Sequence, residues 1–194
     1  MIDRSWTLFL DRDGVINKRM KDDYIRRWEQ FEFLPGVKDA LKELTNFFGT
    51  IIVVSNQQGV GKGLMTESDV AMIHRLMADE IERSGGRIDR TYHSPHLEEE
   101  NSLHRKPNIG MGLRARKEFP GINFKKSVMV GDSLSDMVFG RRLKMITVFL
   151  SDDPGKISKG RMEIDHVFPD LPSFATTLSQ SLKSGEKQDP LITK

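Results

Sequence analysis

Asp11 and Asp13 stand two residues apart at the end of an apolar run, Leu8-Phe9-Leu10. Residues two apart on a strand point to the same side, so both carboxylates can face one reacting centre. In an open α/β sheet the carboxyl ends of the strands border the crevice where ligands bind. A strand running into an Asp-rich turn that caps a helix has the same appearance, so the pair carries meaning only with partners. These come later in the chain: Ser55 after Ile51-Ile52-Val53-Val54, Arg105-Lys106 in a polar stretch, and Asp132 with Asp136 after Ser127-Val128-Met129-Val130. Carboxylates that meet at one point repel each other unless a cation intervenes. An all-oxygen set of this kind suits Mg²⁺. Together with a hydroxyl and an ammonium, it has what phosphoryl transfer from a monoester requires. Asp11 would then be the nucleophile, forming an aspartyl phosphate. Asp13 would protonate the departing alkoxide and later deprotonate the attacking water, for which it needs a raised pKa. Lys106 and the Ser55 hydroxyl would stabilise the phosphoryl oxygens.

The elements that must position these groups follow from periodicity. Pro35-Gly36 opens a helix whose apolar stripe is Val37, Ala40, Leu41, Leu44 and Phe48. Thr66 and Asp69 form a capping box ahead of a second stripe, Val70, Ile73, Met77 and Ile81. Ile88 to His93 reads as a third strand, less apolar and so nearer an edge. Met111 to Phe119 is a weaker helix carrying Leu113 and Ala115, Met145 to Leu150 a fifth strand, and His166-Val167-Phe168 a short sixth. Continuous β-branched runs alternating with helical stripes predict an α/β fold with a doubly wound parallel sheet. Ile16 to Gln30 lacks periodicity and reads as a long basic loop leaving from beside Asp13, which brings its cations, Lys18, Arg19, Lys21, Arg26 and Arg27, near the site. Gly59-Val60-Gly61-Lys62-Gly63 is not a nucleotide-binding P-loop: Asn56 stands where its first glycine belongs and Gly63 where Ser or Thr belongs.

The length of 194 residues suits one domain, expected over 1–182, with a polar tail over 183–194 expected to be disordered. Lys+Arg 30 against Asp+Glu 28 gives a net charge of +2, too balanced for a nucleic-acid or membrane-surface footprint. The absence of cysteine removes disulfides, thiolate catalysis and thiolate zinc sites. With no signal-peptide pattern or long apolar stretch, a cytoplasmic protein, monomeric by default, is expected.

Asp11-x-Asp13-Gly14, Ser55-Asn56, Lys106-Pro107 and Gly131-Asp132-(x)₃-Asp136 resemble, in order and spacing, the four motifs of the haloacid dehalogenase-like (HAD) phosphohydrolases. Asp11 to Asn17, Phe31 to Val37, Ser55 to Gly59 and Arg105-Lys106-Pro107 are similar to the branch holding the D-glycero-D-manno-heptose 1,7-bisphosphate 7-phosphatases and the histidinol-phosphatases. The resemblance implies a compact, capless, Mg²⁺-dependent phosphatase acting on a small phosphorylated metabolite, foremost a heptose bisphosphate. It implies that Asp11, the Asp13 carbonyl and Asp132 bind metal, and that Ser55 and Lys106 hold phosphate. Asn56, Gln57 and Arg105 would contact substrate, while Asp136 orients the site through hydrogen bonds. The cations of the loop after Asp13 are candidates, with Arg105, for binding a second phosphate or a sugar. Members often carry a structural zinc on a Cys- and His-bearing loop before Arg-Lys-Pro. Here Ser94, His96 and His104 stand in that region, so the zinc is expected to be absent, with a residual site on His96, His104 and Glu98 as the lesser alternative. Histidinol-phosphate phosphatase and polynucleotide 3′-phosphatase are the alternatives within enzymes. A phospho-receiver signalling domain is the alternative of another class, although receivers phosphorylate an Asp on a middle strand and the Asp-x-Asp here ends the first.

Overall fold

Thr7, Leu8, Phe9 and Leu10 are all buried, because the strand they form, β1 (Thr7–Leu10), lies at the middle of a sheet covered on both faces. In the computed structural model, which describes residues 2–21, 23–153, 162–183 and 191, the other strands are β2 (Thr50–Asn56), β3 (Arg90–Ser94), β4 (Ser127–Gly131), β5 (Ile146–Leu150) and β6 (His166–Phe168). The order across the six-stranded sheet is β3-β2-β1-β4-β5-β6, and every pairing is parallel. The less apolar β3 is an edge strand, as its composition predicts.

The helices are α1 (Val37–Phe47), α2 (Glu67–Arg83), α3 (Gly110–Glu118), α4 (Leu134–Arg142) and α5 (Leu171–Lys183). Leu8 and Leu10 of β1 join Val37, Leu41 and Leu44 of α1, Met77 of α2 and Phe174 of α5 in one core. Phe9, on the opposite face of the same strand, joins Met111 and Ala115 of α3 and Met137 and Phe139 of α4 in the other. The alternation of β1 thus feeds two cores. Thr66 and Asp69 form the expected capping box, each hydrogen-bonding the other's backbone N–H. Leu113 corrects the expected stripe of α3: it is 37% exposed, and Met111 with Ala115, four residues on, makes the buried face instead. Helix α5 was not anticipated. The tail expected from 183 onward lies mostly outside the described residues, apart from Lys183, the last residue of α5, and Leu191, which is buried.

Ile16 to Gln30 is not a solvated loop. Ile16 and Asn17 are fully buried, and Ile25 packs with Met65, Val70 and Ile73 in a small core of its own, beside Tyr24 and Trp28. Trp28 and Phe31 stack with ring centroids 4.9 Å apart, and Phe33 meets Phe31 edge-on at 5.0 Å. This flap lies against the N-terminal half of α2. No cap domain is inserted among the described residues between β1 and β3.

Candidate active site

The sheet register decides which side chains meet. Leu10 of β1 lies opposite Val53 of β2 and Val130 of β4, so Asp11, Val54 and Gly131 follow at one level and Ser55 and Asp132 at the next. Asp11 N–H still donates to the Val130 carbonyl, at 3.0 Å. The chain reverses its winding direction between β1 and β4, the kind of switch point at which open α/β sheets bind ligands. A cavity of about 310 Å³ opens there, lined among others by Asp11, Asp13, Arg19, Tyr24, Ser55 and Lys106.

Lys106 reaches in from the loop before α3 and is 3% exposed. Its Nζ donates to Asp11 Oδ1 at 2.8 Å and to the Val54 carbonyl at 2.6 Å. It also lies 2.6 Å from Asp136 Oδ1, in charge contact without hydrogen-bond alignment. Asp136 Oδ2 accepts from the Ser133 N–H and hydroxyl at the start of α4, so this carboxylate is fixed by the helix it caps. The Asn56 side chain clamps the Lys106 backbone, accepting from its N–H at 3.0 Å and donating to its carbonyl at 2.9 Å. Gln57 donates to Asp13 Oδ2 at 2.8 Å and Ser55 Oγ at 2.7 Å. Ser55 therefore keeps its own hydroxyl proton for a ligand.

Ser55, Lys106, Asp11, Asp13 and Asp136 all come together in the cavity wall. Asp132 stands beside them, with oxygens of Asp11, Asp132 and Asp136 all within 4.8 Å of one another. Asn56 and Gln57 also line the cavity, but their side-chain groups are engaged within the protein. Arg105 does not line it; its guanidinium donates to the His96 carbonyl at 3.2 Å. Of the flap's basic residues Arg19 alone borders the cavity among the described residues, while Lys18 pairs with Glu32 and Arg26 with Asp23.

Two glycines permit this crowding. A Cβ on Gly14, whose φ is +87°, would stand 1.9 Å from Asp132 Oδ2, and one on Gly131 would meet Asp136 Oδ2 at 2.4 Å. Sequence reasoning missed Arg12, and it placed Arg19 near the site only as one of the loop's several cations. Arg12, 1% exposed, donates through Nη2 to both oxygens of Asp13 at 2.9 Å. A charged residue between two carboxylates at a buried strand end was the available signal.

The charge balance is that of a cation site. Burial, reinforced by Asp136 and Asp13 against the pull of Lys106, pushes the Asp11 carboxyl up to about 6. Burial and Asp11 push Asp132 up to about 7. Arg19 Nη2 donates to Asp132 Oδ1 at 2.7 Å and to the Asp13 carbonyl at 3.3 Å, so a positive group already bridges two oxygens expected to hold metal. Hard oxygen donors, two carboxylates with raised proton affinity and a bridging cation fit Mg²⁺. Asp13 departs from expectation. Burial alone would raise its pKa, but the Arg12 charge and hydrogen bonds from Asn17, Arg12 and Gln57 hold it below the ordinary value.

Comparisons with known proteins agree with this geometry. Residues 5–184 match the family described as polynucleotide kinase 3 phosphatase. The D-glycero-alpha-D-manno-heptose-1,7-bisphosphate 7-phosphatase of Mycobacterium bovis is 46% identical over 132 residues, 68% of this chain and 70% of the relative. The enzyme of that name from Campylobacter jejuni is 37% identical over 77% of this chain and 84% of its own. The chain belongs to the HAD phosphatases, in their heptose 1,7-bisphosphate 7-phosphatase branch. Among solved structures, the D,D-heptose 1.7-bisphosphate phosphatase of B. bronchiseptica, complexed with magnesium and phosphate, superposes with a TM-score of 0.81 at 25% identity, covering 91% of this chain and 99% of that one. This HAD phosphatase thus has the fold that its motifs imply. No helix among its described residues is long and apolar enough to cross a membrane.

The raised carboxyls set a linkage. Asp11 at about 6 and Asp132 at about 7 both lie above the ordinary 3.8, so between those limits the folded form binds more protons than the unfolded chain. Their contribution to stability is complete below the ordinary carboxylate range and is lost as pH rises through the two folded values. A Mg²⁺ held by Asp11 and Asp132 would need both groups ionised, so its binding would strengthen over the same range. Thermal melts in chelator and in Mg²⁺ check this: the Mg²⁺-induced rise in Tm should be several degrees larger near about pH 8 than near about pH 5. A rise of equal size at both would refute it.

Proposed function

We propose that this enzyme removes the 7-phosphate of D-glycero-D-manno-heptose 1,7-bisphosphate in a Mg²⁺-dependent reaction. The observation that carries the reading is the meeting of Asp11, Asp132, Asp136 and Lys106 at one strand-end crevice, in a chain whose similar relatives bear that name. Asp11 Oδ1 is held by Lys106, which leaves Oδ2 to attack phosphorus as the P–O bond to the sugar breaks. The alkoxide takes a proton from Asp13. Water then attacks the aspartyl phosphate, gives its proton to Asp13 and frees Asp11. Asp13 as found is a carboxylate ready for that second half. For the first half, the phosphate dianion entering beside it raises its affinity for a proton.

Asp11, Asp132 and the Asp13 carbonyl would hold Mg²⁺, with Asp136 fixing Lys106 and Ser55 donating to a phosphoryl oxygen. The metal supplies charge neutralisation at the phosphoryl oxygens. Arg19, Tyr24 and Gln58 line the cavity and would meet the sugar, whereas Asn56 and Arg105 would contact it only by leaving Lys106 and His96. The enzyme in this reading is cytoplasmic and monomeric and, lacking cysteine thiolates, carries no structural zinc of the Cys-based kind.

A phosphate-release screen with Mg²⁺ tests the substrate. It compares both anomers of the heptose bisphosphate with histidinol phosphate and a 3′-phosphorylated oligonucleotide. The heptose bisphosphate should exceed the other two in kcat/KM by about a hundredfold or more. Preference for histidinol phosphate or the oligonucleotide would overturn the assignment. Relatives are named for the alpha and for the beta anomer. The alpha arm should be the faster, following the 46% identical relative.

A further inference from the structure

Arg12 is among the largest fully buried side chains of the molecule, and a buried guanidinium needs acceptors for its fixed fork of N–H groups. Nη2 finds three, the two Asp13 oxygens at 2.9 Å and Gln57 Oε1 at 3.2 Å. Nη1 lies 3.3 Å from Nε2 of His74, a residue of α2 that is 3% exposed. Nε has no partner, so the plane of the guanidinium is set by Asp13 and Gln57 on one side and by His74 on the other. Arginine stays charged and can only donate. The facing Nε2 must therefore carry a lone pair, with the imidazole neutral and its proton on Nδ1. The surroundings agree: burial first, then the charge of Arg12 and the neighbouring His93, hold the His74 pKa well below its ordinary value. His93 packs against the His74 ring with centroids 5.6 Å apart and is itself paired with Glu67 at the start of α2.

We propose that His74 is a positioning residue for proton transfer: its neutral Nε2 accepts from Arg12 Nη1 and so fixes the plane in which Arg12 presents Asp13 to the reacting oxygen. His74 does not line the cavity and acts only through Arg12. The inference rests on the reading of Asp13 as the proton-transfer group. Without the acceptor, the guanidinium would rotate toward a new partner and carry the Asp13 carboxylate off line, a misplacement of a kind that costs up to about a hundredfold in rate.

Two substitutions separate positioning from packing. Glutamine places an amide oxygen near the Nε2 position, whereas leucine fills similar space with no acceptor. His74→Gln should keep kcat within about threefold of the parent, and His74→Leu should lower kcat by about ten- to a hundredfold with KM within about twofold. A side chain that merely packs would give the opposite ranking, because leucine suits an apolar site and glutamine does not. Wild-type turnover in His74→Leu, or an equal loss in both variants, would overturn the proposal. A measurement on the unmodified protein does not depend on the variants folding: ¹⁵N NMR of the His74 ring at neutral pH should show a protonated Nδ1 and a bare Nε2. A ring protonated at Nε2 overturns the proposal as well. Asp13→Asn, measured alongside, tells the two failures apart: full turnover there would remove Asp13 from proton transfer, whereas the ring tautomer reports on the Arg12 contact alone.

Discussion

Asp11→Asn should abolish turnover, lowering kcat by on the order of 10⁴-fold or more, while the protein stays folded. The amide is nearly the same size, so the 6% exposed site is refilled without a cavity, but a neutral amide oxygen is no longer a competent nucleophile for phosphorus. Stability should move the other way. Asp11 has its carboxyl pushed up to about 6 by burial and by Asp136 and Asp13, so at neutral pH the folded state carries an ionised group it would rather protonate. The neutral amide relieves that while Asp136 still balances the Lys106 charge, and the metal-free Tm of Asp11→Asn should equal or exceed the parent's at about pH 8. Phosphate release and a melting curve on one preparation check both halves. Full turnover would exclude covalent catalysis at this position, whatever happened to Tm.

Lys106→Met should damage both activity and stability. The ammonium lies between Asp11 Oδ1 and Asp136 Oδ1 at 2.8 and 2.6 Å and also donates to the Val54 carbonyl. Removing one partner of a buried ion pair costs about 3–5 kcal/mol, and here two carboxylates lose their counter-ion together. Urea unfolding in chelator should register a loss of that order, with kcat down by about 10²- to 10³-fold. Mg²⁺ held by Asp11 and Asp132 would restore part of the stability, because it would bring positive charge to Asp11 and within a few ångströms of Asp136, but not the rate. A variant as stable as the parent in the absence of metal would show that Lys106 does not balance these charges.

The sheet and the catalytic floor were legible for a physical reason. Strands buried on both faces are written as unbroken apolar runs, and Leu8 to Leu10, Ile51 to Val54 and Val128 to Val130 advertise both themselves and the polar residues at their ends. The capping box at Thr66 is a local signal and was read locally. The flap was not legible, because Met20, Ile25 and Trp28 follow no period, and Ile25 is buried, with Met20 and Trp28 partly so, against Met65, Val70 and Ile73, some forty residues on. Arg12 escaped for a similar reason: its burial is explained only by acceptors from Gln57 and His74. Asn56 and Gln57 were read as substrate contacts on the resemblance, yet their hydrogen bonds fix Lys106, Ser55 and Asp13. Helix α5 did leave a sign in Leu171, Phe174, Ala175 and Leu178, with Pro172 in its first turn.

The flap's separate small core has a use beyond this one substrate. Its apolar contacts are to α2 and the loop before it, whereas the phosphorus-handling groups hang from strand ends and from the loop ahead of α3. Remodelling of positions 20 to 30, with Arg19 kept because it bonds Asp132 and the Asp13 carbonyl, should therefore retune which alcohol is welcomed while leaving the phosphate-cleaving groups in place. Directed libraries for new sugar preferences belong there, and positions 14 and 131, where a methyl group would collide with Asp132 or Asp136, should be left as they are.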